Sequence, residues 1–260
     1  MVDIRCGDCM ELLKTIPDDS INMILCDLPY EETGNKWDKK IDLDELFNEY
    51  RRIIKEDGCI ALTGTLKFGI QLYNVASDLY KYEWIWEKDS GTNVPNVNYQ
   101  PFRVHEYVFI FGKGRVTNGN RIPMKYYPQM TGGKPYTQIS GNMSDNWKGG
   151  LGQVVTNNTS GGRYPKSIQK FIRDKDYYHP TQKPVSLLKF LIKSYTDEND
   201  TVLDNCMGSG STGVACKSLK RNFIGFELEE KYFKIAKERI ENGYYDKFGD
   251  EKIVKQQKLF

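Results

Sequence analysis

The chain has 260 residues, 39% of them hydrophobic and 28% charged, with a net charge of +2. The length suits one large α/β domain with an inserted segment, and the composition is that of a soluble globular protein. No run reaches the roughly 18 apolar residues of a membrane span, and Met1-Val2-Asp3-Ile4-Arg5 has no signal-peptide pattern. A cytoplasmic protein without a membrane partner is the expectation.

Taken from the N-terminus, Ile21 to Asp27 is a short apolar run ending in an acid, the pattern of a buried parallel strand. Glu31 to Lys40 is polar and reads as a loop. Asp42 to Ile54 places Leu43, Leu46, Phe47, Tyr50, Ile53 and Ile54 at helical spacing. Asp57-Gly58 reads as a break, followed by a strand from Cys59 to Leu62. Lys67 to Leu79 reads as a helix. Tyr82 to Glu87 and Val104 to Phe111 are aromatic and β-branched, as strands are.

Past Gly112 the apolar periodicity fades until about Tyr178. Gly, Asn, Ser, Thr, Lys and Pro dominate, yet Tyr126, Tyr127, Tyr136, Trp147 and Tyr164 make the stretch too aromatic for a plain linker. A stretch this long inside a compact domain is usually a functional insertion. It carries Lys113, Arg115, Arg121, Lys125, Lys134, Lys148, Arg163, Lys166, Lys170, Arg173 and Lys175 against Asp145, Asp174 and Asp176. The first hundred residues are acidic by contrast. A basic insert on a near-neutral body suits a polyanionic partner.

Alternating order then resumes. Pro184 to Tyr195 reads as a helix with Pro in its first turn, Thr201 to Asp204 as a strand, and Phe223 to Glu227 as the next strand before a helix over 229–240. Two blocks of alternating β and α predict a doubly wound, mostly parallel sheet. The predicted division is 1–111, an insert over 112–178, and 179–260 completing the same domain.

Six cysteines are scattered along the chain. Cys6 and Cys9 form a C-x-x-C pair, but no second ligand pair is placed for zinc, and His105 and His179 stand alone. Reduced thiols and no metal are expected.

Two constellations carry chemistry. Val202-Leu203-Asp204-Asn205-Cys206-Met207-Gly208-Ser209-Gly210-Ser211-Thr212-Gly213 leads from strand to helix, and Gly208 and Gly210 permit a tight turn near a ligand. Glu227 ends the next strand nineteen residues after Gly208, where an acid can accept from both ribose hydroxyls. The G-x-G-x-x-G spacing of dinucleotide sites is not kept and the Walker lysine is missing. A nucleoside without pyrophosphate is the better ligand, which points to S-adenosylmethionine.

The second constellation is Asp27-Leu28-Pro29-Tyr30, at the C-terminal end of a buried strand, where open α/β sheets gather their catalytic groups. An aromatic amine is a poor nucleophile because its lone pair is delocalised. Two acceptors on its hydrogens localise that pair. The Asp27 carboxylate can be one and the Leu28 carbonyl, held by Pro29, the other. Tyr30 offers a flat face for a base drawn out of a helix.

With these residues in place, the chain resembles the amino-methylating DNA methyltransferases of the β order, in which the catalytic motif precedes target recognition and the cofactor motif comes last. The family's Asp-Pro-Pro-Tyr appears with Leu28 for the first proline. Its Asp-Pro-Phe-x-Gly-Ser-Gly-Thr-Thr keeps the acid and both glycines. His179-Pro180-Thr181-Gln182-Lys183-Pro184 and Cys6-Gly7-Asp8-Cys9-Met10-Glu11-Leu12 resemble two further family segments.

The resemblance implies a Rossmann-like methyltransferase fold and S-adenosylmethionine as cofactor. Its contacts would come from Asp8 near the adenine, Lys183 near the methionine end, and Asp204, Gly208, Gly210, Thr212 and Glu227. Asp27, Leu28, Pro29 and Tyr30 would be catalytic. Double-stranded DNA is the implied partner, read by the insert, and a homodimer and a companion restriction enzyme are left open. Asn35, Lys36 and Trp37 would form a loop closing on the flipped base, while Trp86, Lys88, His105 and Glu106 read as structural. An aspartate opening the tetrad implies N6 of adenine. N4 of cytosine is the first alternative, and RNA or a protein amide follows it. A non-enzymatic DNA-binding module would lack one of the two constellations, and a nicotinamide dehydrogenase is disfavoured by the glycine spacing.

Overall fold

The computed structural model describes residues 1–29, 41–139, 155–176 and 178–242. Tyr30, Asn35, Lys36, Trp37 and Trp147 lie outside them.

The chain opens with β1 (Val2–Cys6) and a short α1 (Cys9–Leu13), then β2 (Ile21–Cys26), α2 (Leu43–Ile53), β3 (Ile54–Gly64) and α3 (Leu66–Ala76). The long strands β4 (Tyr80–Thr92) and β5 (Arg103–Phe111) form a hairpin. Short strands β6 (Tyr136–Ile139), β7 (Val155–Asn158) and β8 (Ile168–Lys170) follow. The last third holds α4 (Val185–Tyr195), β9 (Thr201–Asp204), α5 (Ser211–Ser218), β10 (Asn222–Glu227) and α6 (Glu230–Asn242). Asp42 and Thr65 cap α2 and α3, each accepting a backbone N–H of the first turn.

Eight strands make one sheet in the order β1-β10-β9-β2-β3-β5-β4-β8. It is parallel from β1 through β3, and β5 runs antiparallel to both β3 and β4. Period-two alternation sorts its side chains into two layers. Ile24 and Cys26 join Leu13, Phe47, Tyr50 and Leu72 of α1, α2 and α3. Met23 and Leu25 join Leu191, Ala215 and Ile240 of α4, α5 and α6. Helices therefore cover both faces, the doubly wound arrangement expected.

One local expectation is corrected. Asp57-Gly58 does not end an element, because β3 runs unbroken from Ile54. The pairing steps from Ile21 opposite Ile54 to Met23 opposite Cys59, so an irregularity in the ladder absorbs the turn-prone residues.

The chain forms two compact units. The larger takes Met1–Tyr127 and resumes at Ser167, so β8 belongs to it and pairs with β4. The smaller lies between Pro128 and Lys166, inside the longer insert outlined by composition. In it β6 and β7 pair antiparallel, and Thr131 and Arg163 exchange two backbone hydrogen bonds. The Arg163 guanidinium lies 4.5 Å from the Tyr136 ring centroid and donates to the carbonyls of Gly161 and Lys134. Ile139, Val155 and Tyr164 are all exposed. Backbone pairing and one arginine hold this ribbon, rather than an apolar core among its described residues.

Candidate active site

Strand order reverses between β9 and β2. From β2 the chain winds one way through β3, and from β9 the other way through β10. Ligand crevices of open α/β sheets lie at such a point, beyond the carboxyl ends of the strands. The pairing of Met23 with Val202 and Ile24 with Leu203 brings Asp27 and Asp204 to that edge together. A cavity of about 310 Å³ opens there, lined among others by Asp8, Asp27, Lys183, Gly208, Ser209 and Glu227.

Asp27 follows the last residue of β2. One carboxylate oxygen accepts from the Thr63 hydroxyl, and the other is 2.6 Å from Lys183 Nζ. Burial pushes the Asp27 carboxyl above its ordinary value; Lys183 opposes that push and nearby Glu106 adds to it. Among the described residues each oxygen accepts one hydrogen bond, and a carboxylate oxygen has a further lone pair to offer. Leu28 and Pro29 line the same cavity.

The glycine turn divides its work. Gly208 has φ +51°, and a side-chain carbon placed there meets nothing nearer than the His179 ring at 3.7 Å. Gly210 has φ +78°, and such a carbon sits 2.9 Å from Ala236 Cβ. Gly208 thus keeps the cavity side open. Gly210 lets α5 pack onto α6 and is not among the residues lining the cavity.

Glu227 is only 9% exposed. Its carboxylate accepts from the Gly208 N–H at 2.9 Å and the Glu229 N–H at 2.8 Å, which fixes its direction. Burial raises its carboxyl above the ordinary range, and these donors counteract it. Asp204 is turned inward. It accepts the Thr212 hydroxyl at 2.6 Å and the Cys206 N–H at 3.2 Å, and burial pushes it to about 7. Asp8 is exposed and caps α1 through the Met10 N–H at 2.8 Å.

A fixed carboxylate beside a left-handed glycine turn, with an open side where a Cβ would otherwise stand, fits a nucleoside whose ribose is gripped by Glu227. Comparisons with known proteins give the family. A family model described as DNA methylase, of the N6/N4 type, matches residues 21–238. The chain belongs to this family.

Type II methyltransferase M.HinfI of Haemophilus influenzae is 30% identical, over 90% of this chain and 67% of that protein. Type II methyltransferase M.HpaI of Haemophilus parainfluenzae is 26% identical, over 92% and 74%. Among solved structures, the M1.HpyAVI–SAM complex superposes with a TM-score of 0.61 at 25% identity, over 92% of this chain and all of that one. The cytosine-N4-specific PvuII DNA methyltransferase gives 0.64 at 16% identity, over 99% and 91%, a likeness of fold. This chain is thus a DNA amino-methyltransferase with a Rossmann-like fold that uses S-adenosylmethionine.

Several residues of the methyltransferase site escaped the sequence reading. Thr63 is 36 positions from Asp27 in sequence and reaches it only because β2 pairs with β3. Lys88 and Glu106, read as structural, stand in one chain of charge with Lys183 and Asp27. Lys183 touches Asp27, a contact that the resemblance did not suggest. Arg239, from α6, donates to Ser209 O at 2.5 Å and Ser209 Oγ at 2.8 Å, bracing the glycine turn from below. Gln182 accepts from the Ser209 hydroxyl at 3.2 Å and ties the His179–Pro184 segment to that turn. Burial, with Lys183 nearby, lowers His179 to about 4, so its ring lines the cavity neutral. Cys9 interacts with Cys206 rather than with Cys6 of its C-x-x-C pair.

The basic segment is also more engaged than its composition suggests. Lys113 pairs with Asp19, Lys125 with Asp197 and Asp200, Lys170 with Glu87, and Arg173 with Asp89. Lys170 and Arg173 are tied to β4, and Lys113 and Lys125 to the loops before β2 and β9. No helix among the described residues is long and apolar enough to cross a membrane.

Proposed function

We propose that this methyltransferase acts on N6 of adenine at a specific sequence in double-stranded DNA, on a base turned out of the helix. The observation that carries the reading is the Asp27 carboxylate, pinned by Thr63 and Lys183 at the reversal point of the sheet beside the Glu227 cavity.

Asp27 accepts one hydrogen of the exocyclic amine and the Leu28 carbonyl accepts the other. Together they localise the nitrogen lone pair and stabilise the positive charge that develops on it. Pro29 stiffens the backbone presenting that carbonyl. Tyr30, outside the described residues, is assigned the stacking face. When bound, S-adenosylmethionine supplies an electrophilic methyl group. Glu227 holds its ribose hydroxyls. Gly208 leaves room for it, Asp8 lies by the adenine, and Asp204 with Thr212 and Gly210 shapes the turn from behind. The segment over 112–178 reads the target sequence. A companion restriction endonuclease, a homodimer and a cytoplasmic setting go with this reading. Adenine is preferred to cytosine because an aspartate opens the catalytic tetrad.

The test is methyl transfer from labelled cofactor to mixed-sequence duplex DNA, with nucleoside digestion and mass identification. N6-methyladenine is the expected product. N4-methylcytosine would move the reading to the cytosine base with the same chemistry, and an unlabelled nucleoside pool would overturn it. Asp27→Ala should abolish transfer while cofactor affinity, measured by calorimetry, stays within about threefold.

A further inference from the structure

Glu106 sits on β5 opposite Trp86 of β4, and its carboxylate lies between two ammonium groups. Its Oε1 meets Lys88 Nζ, and its Oε2 is 3.5 Å from Lys183 Nζ. Lys183 Nζ is in turn 2.6 Å from Asp27 Oδ2. Lys88 and Lys183 are both almost fully buried. Glu106 Oε2 is also buried and, among the described residues, has no donor in hydrogen-bond geometry.

Buried ion networks seldom stabilise more than apolar packing of the same size, so stability alone does not account for this one. A charged oxygen short of a donor is itself unfavourable. Its place answers the question, because it lies next to the lysine that grips the reacting carboxylate. In the resting site that lysine opposes the upward push of burial on Asp27. As methyl transfer proceeds, the amine on Asp27 becomes cationic, and an ammonium on the same carboxylate then opposes the reaction by like-charge repulsion. Glu106 Oε2 is a second seat for that ammonium a short displacement away.

We propose that Glu106 is a positioning residue for methyl transfer, sharing the Lys183 ammonium with Asp27 and drawing it off as positive charge grows on the amine. The proposal rests on Asp27 being the acceptor for that amine. Other ionisable groups around Asp27 are Asp204 at the end of β9 and the Cys26 thiol of β2, with Lys88 of β4 on the far side of Glu106 and His179 beside Lys183. Asp204, raised by burial and by the Asp27 charge, is present in every variant, so the quantity to read is the shift relative to the unaltered protein.

The experiment is the pH dependence of single-turnover methyl transfer for Glu106→Gln and Lys183→Met. Removing the like charge of Glu106 takes away the carboxylate that competes with Asp27 for Lys183, so the acid limb moves to lower pH and the plateau rate falls on the order of tenfold. Removing the ammonium moves the acid limb the other way, to higher pH. Cofactor affinity of Glu106→Gln stays within about twofold, which a mispacked site would not allow. If Glu106→Gln does not fold, Glu106→Asp, which withdraws the charge by one methylene, carries the same measurement. An acid limb that stays in place, or that shifts in the same direction in both variants, overturns the role of Glu106. Sustained turnover in Asp27→Ala overturns the underlying reading instead, whatever Glu106 does.

Discussion

Carboxylates of the same type have opposite tasks at this site, and their surroundings assign them. Glu227 is fixed by two backbone N–H groups and lines the cavity with acceptor capacity left over. Glu227→Ala should weaken S-adenosylmethionine roughly tenfold or more, since a hydrogen bond to a charged group is worth about 1.5–3 kcal/mol. Calorimetric titration decides this, and unchanged affinity would place the ribose elsewhere. Asp204 instead accepts from Thr212 and Cys206, and burial raises it to about 7. Its folded value lies above the unfolded one, near 3.9. Between those values the folded chain holds a proton that the unfolded chain has released, so stability falls as pH rises and the full loss persists above about 7. Asp204→Asn should flatten this slope by up to ~1.4 kcal/mol per pH unit. Denaturant melts at pH 5 and 7.5 give the slopes, and parallel slopes would refute the assignment.

At the scale of elements, the turn between β9 and α5 is braced from three sides. Arg239 of α6 holds Ser209 from beneath, Gln182 holds the Ser209 hydroxyl, and Ala236 packs against Gly210. Both glycines have left-handed φ, so alanine at either position costs about 1 kcal/mol in backbone strain. Gly210→Ala adds a clash with α6, bringing its loss to about 2–3 kcal/mol, or a Tm lower by ~5–10 °C. Gly208→Ala lacks that clash and should melt higher than Gly210→Ala, while its methyl group intrudes on the cavity side. Thermal melts with and without cofactor separate the two. Equal melting temperatures would mean that α6 yields to accommodate the methyl.

At the scale of the whole molecule, the sheet interleaves the two ends of the chain. β9 lies between β2 and β10, and β1 lies beyond β10. β1 and β2 of the first half pair with β10 and β9 of the last, so the two ends of the chain share one sheet across the insert. A protease site placed at Gly132-Gly133, within the smaller unit, should allow cleavage into two fragments that co-elute and still bind S-adenosylmethionine. Separation of the fragments on gel filtration without denaturant would show that the sheet does not bind its halves together.

Apolar periodicity and chain punctuation settled the alternation of strands and helices, because residues three to four apart on a helix or two apart on a strand carry that signal locally. The two short motifs carried the chemistry for a similar reason. A glycine turn after a strand, or an acid followed by x-Pro-Tyr, is built from neighbours in sequence. The sequence by itself thus determined the doubly wound class, and it singled out the glycine turn and Asp27, which the fold brings to one cavity. It misplaced the break at Asp57-Gly58, because a ladder irregularity depends on the partner strand. It separated Lys88 and Glu106 from Asp27, because strand order and one lysine on the loop before α4 join them. Only the tertiary structure decided which charges share a buried space. Electrostatic coupling acts through distance in three dimensions, and residues 79 and 156 positions from Asp27 come within its reach only when the sheet closes.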